Sequence, residues 1–334
     1  MKVTLKDIAE ETGYSISTVS RVLNGSDKIS SQTRKIIIHT AKKLNYPIYY
    51  DQRGKNPLDS LNVFLVVSGF HVGEFYASLF AGIQQAAEEK NVQLSLLSIN
   101  KSLNSLINNL KQLARKQQSD GLILFTPEFT KIDYCRIREE LPDRFPLVSN
   151  GLIENPVFTT VSFDSYSGGY LAAEHFQQRG YTSCGIIRGP FKKAEARYRA
   201  NGFRDFILQE SDMDIVWEYN GDFSYESGSS AFNSFRDSSE KPRAIFSSSD
   251  AMCHGFMEEA LLNDICFPGD VAIVGFDDLP ICRRHRPTIS SIHTDYKKLG
   301  EVTMEHIREI VSNPDQQKGV LSLVPVTLNV RDSS

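Results

Sequence analysis

Residues 4–25 read TLKDIAEETGYSISTVSRVLNG, and this stretch decides the fold of the first part of the chain. Its few apolar side chains recur at helical spacing in two groups, Leu5, Ile8 and Ala9 and then Val19, Val22 and Leu23. Between the groups, Gly13 can adopt the left-handed backbone that ends a helix, and Ser15 can cap the next helix. The pattern predicts two short helices joined by a tight turn.

The second helix would expose side chains that form hydrogen bonds or carry methyl groups: Ile16, Ser17, Thr18, Ser20, Arg21 and Asn24. Such groups suit the edges of bases and the oxygens of phosphates. The arrangement is that of a helix-turn-helix, with residues 16–24 as the candidate recognition helix. The alternative is an amphipathic helical hairpin at the start of an ordinary domain.

A third helix is predicted from a cap at Ser30 or Ser31 to about Leu44. Its inward positions are Ile36, Ile37, Ala41 and Leu44, and its outward positions are the basic residues Arg34, Lys35, Lys42 and Lys43. Three short helices make a compact headpiece whose outer charges are mainly basic, which favours DNA binding over the plain hairpin.

The charge of the chain is divided unevenly. Its 334 residues have a net charge of -4, which by itself argues against a nucleic-acid partner. The first 60 residues, however, carry 10 Lys and Arg against 6 Asp and Glu, whereas the rest of the chain carries 27 against 35. A basic head on an acidic body is typical of a regulator whose DNA contacts lie in one small module.

The cysteines are odd in number and scattered, without a C-x-x-C pair: Cys135, Cys184, Cys253, Cys266 and Cys282. We expect reduced, buried thiols in a cytoplasmic protein, with no zinc site. The seven histidines show no metal-ligand spacing. The sequence shows neither an apolar signal segment nor a run as long as a membrane span.

After a linker-like stretch at 47–61, strand-like apolar runs alternate with amphipathic helical stretches. The predicted strands are 62–68, 92–99, 121–125, 146–149, 184–188, 244–249 and 271–276, and the predicted helices lie near 77–90, 102–117, 194–210 and 251–263. This alternation predicts parallel sheets covered by helices on both faces. The length is too great for one compact sheet, so we expect two α/β subdomains with a cleft between them.

Ligands of such sheets bind outside the carboxyl ends of the strands. The residues there include aromatic, basic and acidic side chains: Phe75, Tyr76, Arg197, Arg199, Ser249, Asp250, Asp277 and Asp278. Aromatic faces stack on CH groups, and charged groups bind hydroxyls, so the set suits a small polyhydroxylated ligand. Taken singly, each of these residues is as readily explained by packing, capping or surface charge.

The chain resembles the LacI/GalR family of bacterial transcription regulators from end to end. Residues 4–25 match the family's headpiece, and several segments match its core: GEFYASLFAGI, DSYSGGYLAAEHFQQRGYTSCGIIRGP, AIFSSSDAMCHG, VAIVGFDDLP and LVPVTLNVRDSS. The resemblance implies a helix-turn-helix headpiece (1–46), a linker or hinge (47–61) and a periplasmic-binding-protein-like core (62–334). The core would consist of two doubly wound α/β subdomains, about 62–162 plus 294–322 and about 163–293 plus 323–334.

The resemblance also implies a homodimer on a pseudo-palindromic operator in double-stranded DNA. Carried over position by position, Ile16, Ser17 and Arg21 read bases, and Ile16 is expected to press against a thymine methyl group. The positions matching backbone contacts are Thr4, Ser15, Thr18, Asn24, Thr33 and Tyr46, and Lys28 matches a groove-facing site. Phosphate contacts of this kind set register and salt sensitivity, whereas base contacts set specificity.

In the cleft, the matching residues are Phe75, Tyr76, Arg199, Phe223, Ser249 and Asp277. An arginine and a carboxylate can each hold adjacent hydroxyls through two hydrogen bonds, so a sugar is the favoured effector. The alternative is a purine or sugar-phosphate corepressor. Effector binding would shift the subdomains and change operator affinity, and neither a cofactor nor a metal is implied.

The linker departs from the family pattern, in which a leucine wedges into the minor groove. Here Pro47 follows Tyr46 directly, and ungapped alignment places Lys55 where that leucine stands. Leu58 or Leu61 could take the place of that leucine only if an insertion changes the register of the linker. Otherwise either the hinge helix is absent, or charge engages the centre of the operator. We therefore expect weaker kinking of the operator than in relatives.

Other classes of function fit less well. A glycosidase using Asp277 and Asp278 is disfavoured because adjacent residues at a strand end point to opposite sides, so we expect no catalytic residues. A plain sugar-binding protein would be exported and lack a basic headpiece. The string CRRHRP (282–287) is interpreted as a solvated surface, and His175 as structural.

Overall fold

The computed structural model describes residues 3–23, 29–44, 46, 60–70, 73–99, 102–116, 119–142, 145–314 and 319–334. Its first three elements are α1 (Leu5–Thr12), α2 (Ile16–Leu23) and α3 (Ser31–Lys43), which pack around one small core. Gly13 has φ 71 and its N–H bonds the Ala9 carbonyl, so the predicted left-handed turn is present. The predicted helix-turn-helix is confirmed.

One inward position of α3 was predicted wrongly. Ile36 is 43% exposed, whereas Ile38 is buried together with Ile37 and Ala41. Three successive isoleucines leave the choice of face open in the sequence. The buried face is determined by packing, because Ile37, Ile38 and Ala41 lie on the face of α3 that contacts α1 and α2.

The rest of the chain forms two α/β lobes. In chain order their elements are β1 (Leu61–Ser68), α4 (Glu74–Glu89), β2 (Val92–Ile99), α5 (Leu103–Lys116), β3 (Gly121–Phe125), α6 (Lys131–Glu140), β4 (Leu147–Ser149), β5 (Thr159–Phe163), α7 (Ser165–Gln178), β6 (Ser183–Arg188), α8 (Ala194–Glu210), β7 (Asp214–Asn220), α9 (Tyr225–Asp237), β8 (Ala244–Ser247), α10 (Asp250–Leu262), β9 (Ala272–Asp277), α11 (Ile281–Arg284), β10 (Ser290–His293), α12 (Tyr296–Ser312), β11 (Leu321–Val324) and β12 (Thr327–Asn329).

The first lobe is a parallel sheet of order β11-β5-β4-β3-β1-β2, with α4 and α12 on one face and α5 and α6 on the other. The second lobe has the order β12-β10-β9-β8-β6-β7, with α7 and α8 on one face and α9, α10 and α11 on the other. Only β12 runs antiparallel in the described sheets. Two doubly wound lobes were predicted, and the prediction is confirmed.

Pairs of glycines let neighbouring helices approach closely. A Cβ atom on Gly169 of α7 would collide with the Arg199 carbonyl of α8, and one on Gly202 of α8 would collide with the Tyr166 carbonyl of α7. The same reciprocal arrangement joins α4 to α12 and α9 to α10, through Gly82 with Gly300 and Gly228 with Gly255. The close α7–α8 contact fixes the position of Arg199 relative to the sheet.

The carboxyl ends of the two sheets face each other. Segments that follow β1, β3 and β4 contact segments that follow β6 and β9. The contacts are Glu74 with Ile281, Glu128 with Lys193 and Glu154 with Arg197. The strand pattern predicts a ligand between these ends, and the region where they meet is called the cleft below.

Candidate DNA interface and ligand cleft

The outward face of α2 begins with an exposed apolar residue. Ile16 is 48% exposed, and Ser17 and Arg21 are exposed on the same helix at a spacing of four. Val19 and Val22 lie beneath them with no exposed surface. The buried side holds α2 in the headpiece, while the exposed side presents one methyl-bearing and two polar groups outward, as base reading requires.

Hydroxyl groups lie at the starts of the three headpiece helices. Thr4 forms a capping box with Asp7, whose pKa is lowered by the hydrogen bonds from Thr4. The Ser15 hydroxyl accepts the Thr18 N–H at 3.1 Å, and the Thr33 N–H in the first turn of α3 bonds the Ser30 hydroxyl at 3.2 Å. Helix N-termini attract phosphate groups, so three of the predicted backbone-contacting residues lie where an anion is favoured.

The other predicted DNA contacts are either half-buried or outside the described residues. Thr18 is half-buried and its hydroxyl bonds that of Ser15 at 2.8 Å, and Tyr46 is half-buried against the headpiece core. Asn24, Lys28 and Lys55 lie outside the described residues.

The second lobe supplies the charged wall of the cleft. Arg199, on α8, is 7% exposed and donates from Nη1 to the Ser248 carbonyl at 2.6 Å and from Nη2 to Asp277 Oδ1 at 3.3 Å. Its guanidinium carbon lies 3.6 Å from the centre of the Phe276 ring and 5.6 Å from that of Phe223. The two aromatic rings and the carboxylate hold this cation in a fixed orientation.

The backbone around this wall is strained at two places. Phe223, in the loop before α9, has φ 75, a conformation unusual for a bulky residue. The strain directs its ring over Gly189, where any Cβ atom would collide with the ring. Asp277 has φ 111 at the end of β9. Such outliers persist where the surrounding structure holds them, and they are common at binding sites.

Asp277 is the acid of the wall. Burial raises its pKa and the Arg199 guanidinium opposes the rise, leaving the pKa at about 6, so the carboxylate is ionised at neutral pH. Ser249 is another predicted ligand residue. Its hydroxyl caps α10 by accepting the Met252 N–H at 3.3 Å. The adjacent Ser248 was not singled out from the sequence. It is fully buried and its Oγ has no hydrogen-bond partner among the described residues, so it is the better candidate for a ligand contact.

The first lobe supplies an aromatic wall. Phe75 and Tyr76 lie in the first turn of α4, and their rings contact Phe125 at the end of β3. The Tyr76 hydroxyl donates to the Gly69 carbonyl at 3.2 Å, and burial raises the Tyr76 pKa to about 12. Both rings are half-buried and pack against the core of the first lobe.

Buried polar atoms at several strand ends have no hydrogen-bond partner within the residues that the structure describes. They include Ser68 Oγ at the end of β1, Asn150 Oδ1 just after β4, Arg188 Nε at the end of β6 and Ser248 Oγ just after β8, together with Arg199 Nε on α8. Buried polar atoms are nearly always paired, because an unpaired one costs about 1–3 kcal/mol. Their position at the facing ends of the two sheets indicates a site for a polar ligand.

The adjacent acids Asp277 and Asp278 have separate partners. Asp278 accepts hydrogen bonds from Arg331 at 2.6 Å, Asn329 at 2.7 Å and His293 at 3.0 Å, so it joins β9 to β10 and β12. Asp277 instead faces Arg199. Asp278 therefore bonds groups of the sheet, whereas Asp277 lies in the cleft. A glycosidase instead needs two acids on either side of the scissile bond.

A family model described as "Bacterial regulatory proteins, lacI family" matches residues 4–47, and a "Periplasmic binding protein-like domain" model matches residues 173–334. The chain carries a lacI-family helix-turn-helix domain followed by a periplasmic-binding-protein-like domain. Almost the whole chain is similar to curated relatives. It is 27% identical to the ribose operon repressor of Escherichia coli K12 over 333 residues, covering 97% of this chain and 98% of the relative. It is 26% identical to the transcriptional repressor PurR of Haemophilus influenzae PittEE over 326 residues, covering 97% and 96%.

Solved structures show the same fold. The lac repressor dimer bound to operator and the anti-inducer ONPF matches with a TM-score of 0.73 at 23% identity, covering 100% of this chain and 99% of that one. The transcriptional regulator CelR in complex with cellobiose matches with a TM-score of 0.72 at 25% identity, covering 99% and 100%. The similarity therefore includes both the headpiece and the two-lobed core.

Several secondary expectations need correction or detail. Cys266 is exposed and Cys135 half-buried, so the expectation that all five thiols are buried is wrong for these two. In the 282–287 string, Arg283, Arg284 and Arg286 are exposed as predicted, and the first two also pair with carboxylates. Cys282 and His285 are buried, so the prediction of a solvated surface is wrong for these two. His175 is buried and bonds Ser334 at 2.9 Å. Within the described ranges, no helix is long and apolar enough to cross a membrane, and no group of metal-ligating side chains occurs.

Proposed function

We propose that this lacI-family protein is a sequence-specific transcriptional repressor whose operator affinity is controlled by a sugar bound between its lobes. It acts as a homodimer on an inverted-repeat site in the cytoplasm and catalyses no reaction. One observation carries the proposal. The same chain combines an exposed face of α2 with a buried Arg199–Asp277 ion pair. This pair lies between the two facing sheets, near buried polar atoms that have no hydrogen-bond partner among the described residues.

On DNA, the face of α2 enters the major groove. Ile16 contacts a thymine methyl, and Ser17 and Arg21 bond base edges. The phosphate contacts come from the helix starts and their neighbours, namely Thr4, Ser15, Thr18, Asn24, Thr33 and Tyr46, with Lys28 in the groove and Lys55 near the operator centre. These contacts give affinity that falls with salt, and α2 gives the sequence preference.

In the cleft, Arg199 and Asp277 bind adjacent hydroxyls of the ligand, and Phe75, Tyr76 and Phe223 contact its CH faces. The unpaired hydroxyls of Ser68 and Ser248 complete the polar contacts, with Ser249 at the start of α10 beside them. The named relatives include a ribose operon repressor and a regulator complexed with cellobiose, which supports a sugar. The PurR relative and the aromatic wall make a purine the alternative ligand.

Ligand binding changes the relative position of the lobes and thereby the spacing of the two headpieces in the dimer. The half-sites lie about one DNA turn apart, so a small shift separates one headpiece from its half-site. The operator affinity therefore falls steeply when one headpiece leaves its half-site, and rises steeply when both headpieces are bound.

The test is selection of bound sites from random duplexes by the purified full chain, with Arg21→Gln as the specificity variant and Arg236→Gln, an exposed arginine of α9, as its control. The proposal expects enrichment of one inverted repeat by the wild type and the control, and a changed or weaker preference with Arg21→Gln. No enrichment of any inverted repeat, even at low ionic strength, overturns it. Screening D-ribose, D-glucose, cellobiose and hypoxanthine against the enriched complex then separates sugar from purine.

A further inference from the structure

We propose that ion pairs across the mouth of the cleft form a clasp that holds the two lobes closed and sets how easily they separate. The proposal deepens the regulation proposed above and rests on it for its functional meaning. The clasp consists of three acids on the first lobe, Glu74, Glu128 and Glu154, and three bases on the second, Lys193, Arg197 and Arg284.

The sign of the charges is segregated between the lobes. Glu128 Oε1 lies 3.8 Å from Lys193 Nζ, and Glu154 Oε1 lies 2.9 Å from Arg197 Nη2. Glu74 pairs with Arg284. All three acids follow strands of the first sheet, and all three bases follow strands of the second. With one sign on each side, every pair draws the lobes together and none can be satisfied within its own lobe by another member of the set.

Glu74 makes the most specific of these contacts. Besides pairing with Arg284, its Oε2 accepts the backbone N–H of Ile281, the first residue of α11, at 2.8 Å. The first N–H groups of a helix have no partner within the helix, so the first lobe supplies the acceptor that α11 lacks. Glu74 is also in the first turn of α4, where a negative charge is favoured. One carboxylate thus joins helix starts from both lobes.

The clasp is adjacent in the chain to the ligand residues on both sides. Glu74 precedes Phe75 and Tyr76 directly, and α11 begins four residues after Asp277. The loop that carries Lys193 also reaches the site, since its ammonium lies 5.4 Å from the centre of the Phe223 ring. Any ligand that moves these residues therefore moves the clasp, and the strength of the clasp biases the lobes toward the closed state before ligand arrives.

Each pair is partly exposed, so each contributes little by itself. Together with the charge-assisted bond to Ile281 they shift the equilibrium between open and closed lobes rather than lock it. A weak, salt-screened clasp is suited to a switch, because a ligand of moderate affinity can overcome or reinforce it.

The test is hydrogen–deuterium exchange of the full chain without ligand, read at the Ile281 amide, which loses its partner only when the lobes part. The His285 amide bonds the Ile281 carbonyl within the second lobe at 2.9 Å and reports local unfolding of α11 instead. We expect Arg284→Gln and Glu154→Gln, which both leave the Glu74 acceptor in place, each to raise the Ile281 exchange rate about fivefold without changing that of His285. Raising salt from about 0.1 M to about 1 M should act similarly on the wild type.

The matched control is Glu305→Gln, which removes an exposed ion pair with Lys90 inside the first lobe and should leave Ile281 exchange unchanged. Unchanged Ile281 exchange in Arg284→Gln and Glu154→Gln, or an equal rise at Ile281 and His285, overturns the clasp. The same samples are titrated with the selected inverted repeat. Normal operator binding with unchanged Ile281 exchange refutes the clasp alone, whereas absent operator binding with raised Ile281 exchange refutes the proposed function alone.

Discussion

Ile16 is one of the three residues proposed to read the base sequence of the operator. It is an apolar side chain with nearly half of its surface exposed at the start of a helix whose other apolar residues are buried. An isoleucine cannot form a side-chain hydrogen bond to a base edge, so the contribution proposed for Ile16 is contact with a thymine methyl group.

Replacing the contacted thymine by uracil should therefore weaken wild-type binding about fourfold, the effect of removing one methyl group worth about 0.8 kcal/mol. The Ile16→Ala variant should bind both duplexes with nearly equal affinity, because its partner for that methyl group is gone. Fluorescence anisotropy with the selected operator measures both ratios. An equal loss in the wild type and Ile16→Ala would show that Ile16 does not read the methyl group.

Arg199 is the corresponding residue of the cleft, since it bonds Asp277 and packs on Phe276 while being almost fully buried. Arg199→Ala leaves a buried carboxylate without its partner, and we expect it to lower the free energy of unfolding by about 3–5 kcal/mol. Arg204→Ala, on the same helix but in an exposed pair with Glu218, should cost about 0–1 kcal/mol. Urea unfolding compares the two, and equal losses would contradict the special role of Arg199.

At the scale of elements, the helix pairs depend on glycine. Gly202→Ala brings a methyl group against the Tyr166 carbonyl, so α7 and α8 must separate, at a cost of about 1–3 kcal/mol in unfolding free energy. Gly269→Ala is the control, because the nearest atom to its Cβ is Cys266 Cβ at 3.9 Å, and its cost should stay within about 0.5 kcal/mol. Thermal unfolding of both variants measures the difference, and a Gly202→Ala protein as stable as the control would refute the close packing.

The elements themselves were largely predictable, because buried parallel strands are continuous apolar runs and their helices keep a period of 3.6. The predicted strand at 244–249 was too long, since Ser249 caps α10 and the strand ends at Ser247. Short or polar elements such as β7 and α9 were not predicted, because β7 is the edge strand of its sheet and lacks a continuous apolar run.

The candidate site was predictable only in part. Arg199 and Asp277 come from segments far apart in the chain, and the strand-end rule placed both at the same edge of a sheet. Ser68 and Ser248 were missed because an unpaired buried hydroxyl has no sequence signature. The pairing of Glu74 with α11 was missed for a related reason, as it depends on how one lobe is placed against the other.

At the scale of the whole molecule, a second buried acid makes stability depend on pH. Asp250 has no exposed surface and lies near Asp277, and burial followed by repulsion from Asp277 raises its pKa to about 8. The unfolded chain ionises this group near its ordinary value of 3.8, so the folded state binds the extra proton between about pH 4 and pH 8. Stability contributed by the protonated group is therefore lost as the pH rises through this window.

Urea unfolding should show this loss between about pH 6.5 and pH 8.5, by more than the ~1.4 kcal/mol that corresponds to one pKa unit. Asp250→Asn stays neutral at all pH values and keeps an oxygen to accept from Ser291, which bonds Asp250 at 2.6 Å, so it should lack this slope. The difference between the two proteins isolates Asp250 from other titrating groups. Parallel pH profiles would show that Asp250 ionises as easily in the folded protein as in the unfolded chain.

In the proposed function, a ligand between the lobes governs how tightly the headpieces hold DNA. This control is measured by the dissociation constant of the full chain for the selected inverted repeat, with and without saturating D-ribose, D-glucose, cellobiose or hypoxanthine. We expect one of these ligands to change the constant at least about tenfold, equivalent to about 1.4 kcal/mol of coupling, and to have no effect on Arg199→Ala. The same dissociation constant with every ligand, or an equal response from Arg199→Ala, would refute ligand control of DNA binding.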